Sequence, residues 1–96
     1  MRGSPAPHDH IFDEGIVKQV QCLRAAGVDT FESCQGGEGH AFNEPTIRFH
    51  GDSSEGMRAL SVALKAGLPV DTLRRYWAVI DDEPTGPYWE LTLLGR

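Results

Sequence analysis

Twice along this chain a stripe of apolar residues at helical spacing runs up to a glycine, and each time the side chains that follow alternate with a period of two. Within residues 12–26, Ile16, Val20 and Leu23 form the first stripe, with Val17 and Ala26 beside it. Asp13 and Glu14 suit the positive end of that helix. Gly27 then supplies a residue that tolerates left-handed backbone, and Val28 the apolar contact that closes a helix. The second helix starts at Asp52 or Ser53, with Glu55 placed as in a capping box, and its stripe is expected at Met57, Leu60, Ala63 and Leu64. Gly67 and Leu68 end it as Gly27 and Val28 end the first, so helix followed by strand pair reads as one unit used twice.

The alternating segments define the strands. Across residues 29–34, Phe31 is expected on one side and Thr30, Glu32 and Cys34 on the other. Pro45 opens the next strand, where Ile47 and Phe49 oppose Thr46, Arg48 and His50. Residues 73–80 and 88–94 form a third and fourth strand, joined by the turn-forming residues 81–87. Trp89, Leu91 and Leu93 are expected inside, leaving Tyr88 and Glu90 on the polar side with Arg48. The fold expected is α+β, a two-layer α-β-β-α-β-β sandwich whose four-stranded, mostly antiparallel sheet carries both helices on one face. Strand order stays open at this level.

A chain of 96 residues has interior enough for one core, so residues 11–96 are expected to form a single domain. Residues 1–10, with two prolines and no apolar period, read as a mobile arm, and His8 and His10 as solvated residues within it. A formal charge of −5 makes nucleic acid an unfavourable partner, because affinity for a phosphate backbone comes from lysine and arginine. No apolar run approaches the roughly 20 residues that a membrane crossing needs, and the start lacks a signal-peptide pattern, so the cytoplasm is the expected compartment. Cys22 and Cys34 are expected as free thiols there.

Chemistry concentrates at Cys34-Gln35-Gly36-Gly37-Glu38-Gly39-His40, the loop between the first two strands. Its glycines free backbone amides to point at an anion or carbonyl oxygen, although the segment is neither a Walker loop nor a dinucleotide fingerprint. Cys34 could act as a nucleophile if His40, His50 or Arg48 came within reach, which makes Cys34, His40 and His50 the catalytic candidates. Paired zinc-type spacing is lacking, and Asp81, Asp82 and Glu83 read as a solvated acidic turn, so no metal is assigned. Trp77, Tyr88 and Trp89 stand near Glu83 and Glu90, and aromatic faces beside charged groups are a means of holding planar ligands.

Around Thr30-Phe31-Glu32-Ser33-Cys34-Gln35-Gly36-Gly37-Glu38-Gly39-His40 the chain resembles small bacterial and phage proteins of uncharacterised function, in which a strand ends in a Ser-Cys-x-Gly-His-like turn. Gly37 stands at that pattern's histidine, with His40 three residues later. The resemblance implies no particular activity. A fainter likeness is to the tRNA wybutosine-synthesising methyltransferase family, whose strand-borne Ser-Ser-Cys-Ser-Gly-Arg motif is partly echoed by Ser33-Cys34-Gln35-Gly36. Glu32 and Gly37 stand where that motif has its first serine and its arginine.

Three functional readings follow. The first is a domain that binds a small polar ligand, such as a nucleotide, through the glycine-rich loop and the polar sheet face, with Cys34, Gln35, Gly37, His40, Arg48, His50, Tyr88 and Glu90 as contacts. The second is an enzyme with Cys34 as nucleophile. The third is a regulatory or inhibitory protein that docks a larger protein partner through a free sheet face or edge, alone or as a homodimer.

Overall fold

The computed structural model describes residues 16–39 and 41–94. The expected N-terminal arm, the first residues of the expected first helix and the candidate His40 lie outside the described residues. The elements are α1 (Val17–Ala25), β1 (Asp29–Cys34), β2 (Thr46–His50), α2 (Ser53–Lys65), β3 (Val70–Ile80) and β4 (Glu83–Leu93). The architecture is the α+β sandwich expected from the sequence, with every strand antiparallel to its neighbours in the order β1-β2-β4-β3. Since β2 and β3 both run against β4, they are parallel to one another, and the β2-α2-β3 crossover leaves β4 inserted between its strands. Among the described residues no helix is long and apolar enough to cross a membrane.

Both helices end as their glycines suggested. Gly27 and Gly67 have φ of 88° and 81°. Val28 N–H donates to the Leu23 carbonyl at 3.0 Å and Leu68 N–H to the Ala63 carbonyl at 3.0 Å, so the two helix ends use the same pair of closing bonds. At the start of α2 the Asp52 Oδ1 accepts from Glu55 N–H at 2.9 Å.

The core lies between the helices and one face of the sheet. Ile16, Val20 and Leu23 meet Ile47, Phe49, Trp89, Leu91 and Leu93 there, all buried. Of the expected α2 stripe, Ala63 is buried and Leu60 packs partly buried on the core, whereas Met57 and Leu64 are 54% and 56% exposed and are corrected, Gly56 and Ala59 taking buried positions instead. The cause is the Trp89 indole. A Cβ at Gly56 would stand 2.3 Å from its ring, and the small stripe lets α2 settle onto it. The indole N–H donates to the Gly51 and Asp52 carbonyls at 3.0 and 3.1 Å, tying β4 to the start of α2.

Two further expectations are corrected. The connection between β3 and β4 is not the whole of residues 81–87 but a two-residue turn at Asp81 and Asp82, with φ of 53° and 65°. Aspartate tolerates this left-handed backbone, and β4 begins at Glu83 instead of Tyr88. In β1 a bulge falls at Phe31, because Thr30 pairs with Phe49 and Glu32 with Arg48. The extra residue reverses the alternation, so buried Thr30 joins the helix side and Phe31 moves to the opposite, open face of the sheet.

Candidate functional site

With that bulge in place, the open face resolves into three rows, each crossing all four strands. Glu32, Arg48, Glu90 and Arg74 are successive register partners along β1, β2, β4 and β3. One row away, Phe31, His50, Tyr88 and Tyr76 form an aromatic band. Phe31 and His50 stack at 4.4 Å between ring centroids, His50 meets Tyr88 edge-on at 5.6 Å, and Tyr88 lies 5.5 Å from Tyr76. On the other side of the charged row, Cys34, Thr46, Thr92 and Thr72 continue the same pairing as a band of one thiol and three hydroxyls.

The charged row is closed on itself. Arg48 donates through Nε to Glu90 Oε2 at 3.0 Å, with Nη2 in an ion pair 2.9 Å from the same oxygen, and through Nη1 to Glu32 Oε1 at 3.0 Å. Arg74 donates to the other Glu90 oxygen. Glu90 is only 4% exposed, so two guanidinium groups hold one buried carboxylate, an arrangement whose attraction must offset a large desolvation cost. The Arg48 guanidinium also lies 4.7 Å from the ring centres of both Phe42 and Tyr76. Burial pulls the Arg48 pKa down, but the hydrogen bond to Glu90 and the fields of Tyr76, Glu32 and Glu90 outweigh it and raise the value above the ordinary one. Burial raises the Tyr76 phenol pKa, against the pull of Arg48 and with the help of Glu32, Glu90 and Tyr88. Arg48 is therefore a fixed cation and Tyr76 a neutral phenol at ordinary pH.

The glycine-rich loop works differently from expectation. Gly36 N–H donates to Cys34 Sγ at 3.4 Å and Gly37 N–H to the Asn43 carbonyl at 2.9 Å, so these two amides are spent on closing the loop and do not face an anion. A Cβ at Gly36 would fall 2.4 Å from the Glu44 carbonyl carbon, which is why glycine is needed where the strands leave the loop. The closed loop carries Phe42 onto Arg48. Half-buried Gln35 and exposed Gly37 belong to this loop and not to the three rows.

Of the residues singled out from sequence, Arg48, His50, Tyr88 and Glu90 share the open face. Cys34 does as well, but it pairs with Thr46 while His50 pairs with Asp29, which sets the two at opposite ends of the β1-β2 ladder. Four residues of strand separate Thr46 from His50, about 13 Å. A joint Cys34–His50 centre is therefore not formed, and the Cys34 thiol is 5% exposed beneath the loop. Both cysteines are free thiols. Among the described residues no group of three or more His, Cys, Asp and Glu side chains is placed to hold a metal ion.

Sequence reasoning passed over Arg74, Tyr76, Phe42 and the threonine pair Thr72–Thr92, whose hydroxyls are bonded to each other. The alternation Thr72, Arg74, Tyr76 was the available signal for β3, whereas nothing local marked Phe42. An open groove of about 660 Å³ runs along the charged and hydroxyl rows, bordered by Phe42, Glu44, Arg48, Asp71, Arg74 and Thr92. No protein-family model matches the chain, and neither does any curated protein or solved structure.

Proposed function

We propose that this domain binds a small polar ligand carrying a planar ring on the open face of its sheet. The observation that carries the reading is the ordered banding of that face, rings beside an internally neutralised ionic ladder beside hydroxyls, with a groove over the polar bands. A planar ring gains from contact with Tyr76, Tyr88 and His50, while hydrogen-bonding substituents find Thr46, Thr92 and the ladder. The ladder holds these side chains in place before a ligand arrives, so little ordering entropy is spent on binding. Arg48 acts here as a positioning group for the rings and carboxylates around it. Saturation-transfer NMR with a panel of planar heterocycles tests the proposal. Ring protons of panel members should receive saturation from the wild-type protein and lose it with the Tyr76→Ala, Tyr88→Ala double variant. Equal transfer in both proteins removes the reading.

A docking role is favoured by a separate observation. The β3-β4 hairpin extends past the ends of β1 and β2, and Trp77, Val79 and Ile80 along it are 59%, 75% and 52% exposed. Exposed apolar residues grouped on one arm are what a protein-binding surface offers. Sedimentation of wild type and Trp77→Lys over a concentration series distinguishes self-association through the arm, expected only in the wild type, from a monomer in both.

A further inference from the structure

Which chemical class fits the groove follows from where its charges are already spent. Both groove arginines are charge-paired within the ladder, since Arg48 hydrogen-bonds Glu90 and Glu32 and Arg74 bonds the second oxygen of Glu90, so two cations are balanced by two carboxylates. The guanidinium plane of Arg48 is also covered by Phe42 and Tyr76. Against these two cations the same groove is lined by three acidic residues, Glu44, Asp71 and Glu90, of which the first and second are exposed. The amides of Gly36 and Gly37 are turned inward, onto Cys34 and Asn43. A phosphate would thus meet arginines already neutralised by Glu90 and Glu32, and the further negative charges of Glu44 and Asp71. An amino group would meet acceptors.

Resting on the ligand-binding reading above, we infer that the groove takes a phosphate-free, amino-bearing heterocycle, of the nucleobase or nucleoside class, and discriminates against the corresponding nucleotide. Glu44 and Asp71 are the specificity-determining residues: they accept from exocyclic amino groups and repel a phosphate. Thr46, whose hydroxyl donates to the Glu44 carbonyl at 2.8 Å, has acceptor capacity left on its oxygen at the groove wall. Two like charges facing a phosphate dianion across a partly solvated groove are worth on the order of a tenfold difference in affinity.

The test is an amide-resolved NMR titration of the full chain with adenosine, cytidine and AMP. Adenosine and cytidine are expected to shift the resonances of Thr46, Arg48, Arg74 and Thr92, with AMP weaker by about tenfold. In the Glu44→Gln, Asp71→Asn double variant that gap should narrow to about threefold or less, with the fold unchanged because both residues are exposed. AMP binding as tightly as adenosine at those resonances overturns this inference and leaves the ligand-binding reading standing. No shift with any of the three probes, or shifts confined to other surfaces, overturns both.

Discussion

The two faces of this sheet are built from the same four strands and solve opposite problems. Toward the helices, Ile47, Phe49, Trp89, Leu91 and Leu93 are buried and held by shape, with one indole lodged against a glycine. Toward solvent, the alternate residues of the same strands are held by charge and ring contacts, in rows that run across the sheet. The first face gains stability by removing apolar area from water. The second spends desolvation energy on Glu90 and Arg48 and receives a rigid polar surface in return. The difference teaches where to look for function, because a buried ion-pair ladder is a costly way to make a sheet and a direct way to fix side chains on an open face.

Substitutions on the two faces should therefore separate stability from binding. The largest effect is expected from Phe49→Ala, fully buried on the helix side, which should cost ~3–5 kcal/mol in urea-induced unfolding. Next, Arg48→Met leaves Glu90 with only Arg74 and exposes the rings to rearrangement. Because Arg48 is partly exposed, a loss of ~2–3 kcal/mol is expected, below that of a fully buried pair, together with loss of ring-ligand contact. If Arg48→Met leaves stability unchanged, the ladder is not what orders the open face.

Gly56→Ala sharpens the comparison from the other side. The added methyl must displace the Trp89 ring, and a loss of ~1–3 kcal/mol is expected in thermal or urea unfolding, with the open face unaffected. Trp77→Lys on the exposed arm should change stability by no more than ~0.5 kcal/mol. The smallest effect concerns pH. The hydrogen bond from Arg58, and then its charge, hold the Glu55 carboxyl below the ordinary value of 4.5 in spite of the opposing desolvation and Asp52. A carboxyl whose folded pKa is lowered stabilises the fold above its unfolded pKa, and that contribution fades as pH falls through the folded value. Side-chain NMR titration should place the Glu55 midpoint below 4.5, and Glu55→Gln should flatten the acid side of the stability profile slightly.

Much of the helix side was legible in the sequence. Gly27-Val28 and Gly67-Leu68 announce their helix ends because few residues other than glycine accept that backbone, and Trp89, Leu91 and Leu93 announce their face by strict alternation. The sequence was misleading where one residue changes a phase. The bulge at Phe31 moves an aromatic side chain across the sheet, and no local signal distinguishes it from continued pairing. The buried stripe of α2 was right at Ala63 and wrong at Met57 and Leu64, because hydrophobicity points to those two whereas the Trp89 indole lies against Gly56. Asp81 and Asp82 were read within a hairpin connection spanning residues 81–87, and its tightening to these two residues was missed because positive φ at aspartate is not written in composition. The three rows were half visible. Arg48, His50, Tyr88 and Glu90 came from alternation, but their junction with Arg74 and Tyr76 depends on the strand order, which only long-range packing decides. The glycine loop looked like a cradle from its residues alone, and its closure on Cys34 and Asn43 is a tertiary fact.

The most direct measurement reads both faces at once, by following the side-chain ring signals of Tyr76, Tyr88 and His50 together with the Trp89 indole N–H while adenosine is added. The expected result is saturable movement of the three open-face rings with the indole signal, locked to Gly51 and Asp52, unmoved. Stationary rings at saturating adenosine, or movement of the indole signal alone, would contradict the claim that the open face is the functional one.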